Sequence, residues 1–235
     1  MRSLSSKHSL RLLKAAASLC IFCAFLSHRA MADPLTYLIS VNPSGLSGTS
    51  GYLDLQFNPG TLPGSQLAFA NVPSNGNWIL GDGSNGISTG VVSGELDFAG
   101  VSFENTSPFN DYLQSLVFGS SPDSLFVTFD GPAIESPDGT STSGSTFAIS
   151  FFDSNLNPVL TNNPDGFAAL ININPGGTIT TETFPNTDGG PSAVTLVPPS
   201  PPPSTTPEPA TMLLVATGLS GIFALTHRKA RSSRR

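Results

Sequence analysis

The side chains in the body of this chain that could do acid–base chemistry are carboxylates. All sixteen Asp and Glu residues lie between Asp33 and Glu208, whereas the ten Lys and Arg and the three His fall at residues 2–29 and 227–235. Both cysteines, Cys20 and Cys23, sit in the first 32 residues. A Ser or Cys nucleophile needs a neighbouring base, usually His or Lys, and the stretch 33–208 supplies neither. Phosphoryl transfer relies on Lys or Arg to balance phosphate charge and is excluded on the same ground. A surface with no positive side chain repels nucleic-acid phosphates, so nucleic acid is excluded as a partner. What remains is paired-carboxylate chemistry of the glycosidase or aspartic-protease kind. Glu95 and Asp97, expected on one strand face, form such a pair, but an acid-rich stretch produces pairs by chance. No Asp-Thr-Gly or Asp-Ser-Gly occurs. The domain is therefore read as non-enzymatic, with no catalytic residue and no cofactor.

A metal held here would have to be a hard cation, because the ligand supply is carboxylate, amide and backbone oxygen. Asp153-Ser-Asn155-Leu-Asn157 begins like a calcium loop, then places Pro158 where the turn glycine belongs and Pro164 where the bidentate glutamate belongs. Asp82-Gly-Ser-Asn85-Gly86 reads as a glycine-rich turn. No metal site is expected from either. Trp78, the single Trp, stands among Asn and Gly and is the one candidate for stacking on a sugar ring, although a core plug is the commoner use of a lone Trp. Asn105-Thr106-Ser107 has the form of a glycosylation sequon, which also arises by chance.

The elements that must carry these residues are strands. From Leu35 to Val197 the chain offers short apolar runs bounded by Gly, Pro, Asn, Asp or Ser. Period-two alternation puts Leu35, Tyr37, Ile39 and Val41 on one face. It does the same for Leu53, Leu55 and Phe57, for Leu125, Val127 and Phe129, for Phe147, Ile149 and Phe151, and for Phe167, Ala169, Ile171 and Ile173. Thr178 to Phe184 reads as a more polar edge strand. Asn58-Pro59-Gly60, Asn163-Pro164-Asp165-Gly166 and Asn174-Pro175-Gly176-Gly177 are chain reversals. No stretch has a convincing helical period. Of the 16 Phe, all but Phe22, Phe25 and Phe223 lie in this region and form its natural core. The expected fold is all-β, a two-layer β-sandwich of jelly-roll kind over residues 33–197. Its about 165 residues are enough to fold without disulfides or metals.

The two ends read as targeting segments. Residues 1–32 have a basic start, an apolar stretch and an Ala30-Met31-Ala32 site, so they form a signal peptide with its own short helix, and the mature chain begins at Asp33. Residues 198–209 are a Pro-rich spacer that leans toward an extended polyproline conformation. Residues 210–226 carry no charge and as a helix would span about 25 Å, a minimal transmembrane helix. Residues 227–235 hold Arg228, Lys229, Arg231, Arg234 and Arg235, which place the tail on the cytoplasmic side. A permanent anchor is the plain alternative for this end.

The order spacer, Pro207-Glu208-Pro209, apolar span, basic tail resembles the PEP-CTERM sorting signal. That resemblance implies processing near Pro207, Glu208 and Pro209 by exosortase, a membrane-embedded enzyme of Gram-negative, exopolysaccharide-producing bacteria. It also implies a transient stay in the inner membrane and a final place at the cell surface or in the extracellular matrix. Further segments, Gly51 to Gly60, Phe109-Asn110-Asp111-Tyr112-Leu113-Gln114 with Phe118-Gly119, and Ser145 to Asp153, are similar to an uncharacterised family of PEP-CTERM surface proteins, whose motifs imply no activity. Three roles compete for the domain: a structural or adhesive component, a module binding the exopolysaccharide, and a carboxylate-based glycosidase.

Overall fold

The computed structural model of the chain describes residues 33–74, 86–96 and 98–199. The chain divides after Pro198 into two units, and the described residues other than Pro199 lie in the first. The signal segment with Ala30 and Ala32, the Pro207-Glu208-Pro209 motif, the apolar run 210–226 and the basic tail all lie outside the described residues, as do Trp78 and Asp97.

Among the described residues the strands are β1 (Leu35–Val41), β2 (Ser50–Pro59), β3 (Phe69–Val72), β4 (Ile87–Thr89), β5 (Val92–Glu95), β6 (Gly100–Glu104) and β7 (Asp111–Val117). They continue as β8 (Asp123–Asp130), β9 (Ser145–Asp153), β10 (Pro158–Val159), β11 (Phe167–Ile173), β12 (Ile179–Thr183) and β13 (Val194–Val197). One sheet has the order β13-β1-β8-β3-β6-β5; the other has β12-β11-β9-β2-β7-β4, with β10 on β9. The strand pairs are antiparallel. The molecule is thus all-β, with two sheets in an arrangement compatible with a sandwich. Among the described residues, helical structure is confined to a 3-10 turn at Ser44–Leu46 and one helical turn, α1 (Pro132–Glu135). At α1, Pro132 supplies the φ of a first helical residue after Gly131 at φ 90°.

Alternation in the sequence becomes burial in the fold. Ile39, Val41, Leu53, Leu55, Phe57, Leu125, Val127, Phe129, Phe147, Ile149, Phe151 and Ile171 are all fully enclosed. Phenylalanine rings join the sheets. Phe129 of β8 lies 6.1 Å from Phe57 of β2 and 5.7 Å from Phe147 of β9, and Phe103 of β6 meets Phe147 edge-on at 5.9 Å. Not every Phe joins them: Phe98 is 88% exposed, and Phe109 and Phe126 are also exposed. In β11 a bulge between Phe167 and Ala169 breaks the alternation, so Ala168 and Ala169 are both buried. The polar strand expected at Thr178 to Phe184 is β12, and it does lie at a sheet edge.

Neutral amides pin the loops to this core. Asn110 is buried; its side chain donates to the carbonyls of Phe57 (2.8 Å) and Ser107 (3.0 Å) and accepts from the N–H of Val91 (2.8 Å). Asn105 accepts from the Ala68 N–H and donates to the Gln66 carbonyl and the Ser145 hydroxyl. The side chain of the sequon asparagine is therefore spent inside the protein and not offered to a glycan. Tyr112 Oη donates to Gln114 and accepts from the Leu96 N–H, tying the end of β5 to β7 across the two sheets. Gly51 has no room for a side chain, because a Cβ would strike the Phe152 carbonyl oxygen and the Phe118 ring.

The first and last strands lie side by side, Leu38 opposite Val197, so residues 33–34 and 198–199 leave the domain at the same end of one sheet. Replacing Phe147, which contacts three other rings, should cost about 3–5 kcal/mol as Phe147→Ala, whereas Phe98→Ala should stay within about 0.5 kcal/mol of wild type; urea unfolding midpoints of the two variants check this.

Candidate functional site

The outer face of the seven-stranded sheet holds an arrangement that spacing along the chain did not reveal. Asp54 sits in β2, where alternation turns it away from the core between Leu53 and Leu55, yet it is only 5% exposed. In the register of β2 with β7, Gln56 stands opposite Asp111 and Asp54 opposite Leu113. Asp54 and Asp111 are therefore diagonal neighbours on one face, within reach of each other. Oδ2 of Asp54 accepts from the Gln56 amide at 2.8 Å, and Gln56 in turn accepts from the Asn58 amide at 3.2 Å. Oδ1 of Asp54 has no hydrogen-bond donor among the described residues. With both groups ionised, two like charges would face each other at a covered site. A proton on one of them turns the contact with Asp111 into a hydrogen bond. Burial, reinforced by that bond and by the Asp111 charge, pushes the Asp54 carboxyl up to about 8, against the smaller downward pull of Gln56.

The carboxylates singled out from the sequence are placed differently. Strand β5 stops at Glu95, and the N–H groups of Phe98 and Ala99 turn back onto the Glu95 carbonyl, so the strand face expected to carry Glu95 and Asp97 together does not continue. Asp97 lies outside the described residues. Asp153 closes a tight loop between β9 and β10: it accepts the N–H groups of Asn155 (2.8 Å) and Asn157 (2.9 Å) and the Asn157 side-chain amide (3.0 Å). Those bonds, the Asn157 side chain first, hold its carboxyl below the usual range. The calcium-like spacing is thus an Asx-type turn whose acceptors already have protein donors. Asp138 is held low in the same way by the N–H groups of Thr140 and Ser141. Asp82 to Asn85 lie outside the described residues. No group of three or more His, Cys, Asp or Glu able to hold a metal occurs among the described residues. A surface cleft of ≈ 550 Å³ between the Asn42–Leu46 turn and the Asn186–Ala193 loop contains one carboxylate, Asp188.

Spacing alone hid the Asp54–Asp111 pair because its members lie on different strands. Asp54 did carry a signal: it is an acid between two core leucines in a strand whose other outward neighbours, Tyr52 and Gln56, can cover it.

The described domain is an all-β, acid-only module whose last strand leads into a proline spacer. Residues 205–229 match the family model of the PEP-CTERM protein-sorting motif, so the chain carries that sorting signal at its C-terminal end. The match takes in Pro207-Glu208-Pro209, the apolar run and the first basic residues, Arg228 and Lys229. No curated protein and no solved structure matches the chain. Among the described residues no helix is long and apolar enough to cross a membrane.

The Asp54 carboxyl binds its proton more tightly folded than unfolded, so its contribution to stability is complete below its ordinary value of 3.8 and is lost as pH rises to about 8. In chelator-containing buffer, wild type should therefore lose stability relative to Asp54→Asn across that window. Urea midpoints measured at several pH values check this; parallel pH profiles for the two proteins would remove the shared proton.

Proposed function

We propose that this chain is an exported protein that passes through the general secretory route, begins at Asp33 after loss of residues 1–32, and is held briefly in the inner membrane by residues 210–226. An exosortase-like enzyme then cuts it near Pro207, Glu208 and Pro209 and leaves Arg228, Lys229, Arg231, Arg234 and Arg235 on the cytoplasmic side. The observation that carries this reading is the match of residues 205–229 to the PEP-CTERM motif. The place where the domain ends supports it: β13 runs to Val197, and the prolines that follow cannot extend the ladder, so the spacer starts where the packed domain stops.

The released domain acts as a structural or adhesive component of the cell surface or matrix, and we read it as a jelly-roll sandwich with no enzymatic activity. The strand orders β1-β8-β3-β6 in one sheet and β2-β7-β4 in the other support the jelly-roll reading. The enclosure of Asp54 and its direct contact with Asp111 support the non-enzymatic one, because a retaining glycosidase holds its carboxyl groups about 5 Å apart around an open cleft.

Binding of an exopolysaccharide is a second reading, favoured by one feature. Thr36, Thr128, Asn71, Ser102 and Ser93 form a row of neutral hydrogen-bonding side chains across five strands of the six-stranded sheet. Such a row suits the hydroxyls of an uncharged sugar chain. On this reading Trp78 is a further sugar contact.

Intact-mass analysis of the protein recovered from its host, beside the same host without exosortase, tests the main reading. A species from Asp33 to the Pro207–Pro209 region, absent from the deficient host, is expected. A mass that still includes Arg235 in both hosts would make the tail an ordinary anchor.

A further inference from the structure

The Asp54–Asp111 pair needs a positive charge that this protein does not contain. No Lys, Arg or His lies between residues 30 and 226. Two carboxylates held in contact, one of them 5% exposed, must therefore be neutralised from solution, by a proton or by a cation. Among the described residues Oδ1 of Asp54 is a buried acceptor with no donor other than a proton shared with Asp111, while Oδ2 is engaged by Gln56. A buried carboxylate oxygen without a protein donor is a position that a cation or a water can serve. Asp111 on β7 is partly exposed, so solvent reaches the pair from the Asp111 carboxyl more than from the enclosed Asp54. Across β4–β7, Thr89 stands opposite Asp111; across β2–β9, Ser150 stands opposite Asp54. Oxygen groups alone occupy these positions, and the chain between residues 30 and 226 has no imidazole or thiolate to favour a transition metal.

We propose that Asp54 and Asp111 bind one hard divalent cation of the Ca²⁺ class on the outer face of the seven-stranded sheet. Asp54 Oδ1 and the Asp111 carboxylate are the anionic ligands, and water with neighbouring neutral oxygens completes a shell that Ca²⁺, with its tolerance of irregular geometry, accepts more readily than Mg²⁺. The ion bridges β2 to β7 and cancels the repulsion within the pair. With two carboxylates the affinity falls in the weak range of extracellular modules, about 10⁻⁴–10⁻³ M. The inference rests on the pair's geometry and not on the sorting tail, so it stands or falls separately from the processing reading.

The test is thermal unfolding of the full chain in detergent, titrated with CaCl₂ at constant ionic strength, with MgCl₂ and NaCl as controls. Wild type should gain about 3–6 °C at roughly ten times the half-saturating Ca²⁺ concentration, with little gain from Mg²⁺. Asp54→Asn and Asp111→Asn should each lose the gain, and Asp153→Asn should keep it. Carboxyl ¹³C resonances of wild type titrated with Ca²⁺ need no variant: Asp54 and Asp111 should move first and saturate. A wild type indifferent to Ca²⁺ would mean that the pair holds a proton only. An equal gain in both pair variants, or a uniform drift of all carboxyl resonances, would mean diffuse attraction to an acidic surface. Either result overturns the proposal.

Discussion

Every carboxylate between Asp33 and Glu208 has to be accommodated without a cationic side chain, since the intervening sequence has none. Much of the polar architecture follows from that constraint. Asp138 and Asp153 fold short loops around themselves and take backbone N–H groups as donors. Asp130 takes the Asn71 amide, and Asp54 takes the amide of Gln56. The polar side chains enclosed at the core margin are mostly neutral: Asn105, Asn110 and Gln114. A buried amide needs partners but carries no desolvated charge, so it can pin a loop without the penalty of an ion. Asp54 is the exception, a carboxyl under cover, and its neighbour is another acid.

The two sheets are held together by apolar contact, with Phe57, Phe103, Phe129 and Phe147 touching across the interface. Two segments singled out in the sequence serve this packing. In Phe109 to Gln114, Asn110 clamps the end of β2, Tyr112 and Gln114 tie β5 to β7, and Asp111 meets Asp54. In Ser145 to Asp153, alternate residues deliver Phe147, Ile149 and Phe151 to the core, and Ser145 accepts from Asn105. These are mainly fold-determining positions.

The packed domain and the sorting signal solve separate problems. The signal is linear and depends on order: spacer, tripeptide, apolar run, basic residues. The domain needs only to end cleanly, and it does so at an edge strand followed by proline. Because β13 lies antiparallel against β1, the start of β1 and the end of β13 emerge at the same end of that sheet.

The division between what the chain states and what folding decides is clear at individual residues. Period two is local, so the inward faces of β1, β2, β8 and β9 were legible residue by residue, and the C-terminal signal was legible because it is defined by the order of its residues along the chain. The Asp153 spacing was legible as a failed calcium loop for the same local reason. What alternation cannot say is which strand comes to lie beside another, or what covers an outward side chain. Asp54 reads as an exposed acid and is enclosed; Asn105 reads as a sequon and is a core pin; Phe98 reads as core and stands in solvent. Each depends on contacts between residues far apart in the chain. The meeting of Asp54 with Asp111 exists only because the register sets Gln56 opposite Asp111, and a shift of one residue would turn the two acids to different faces.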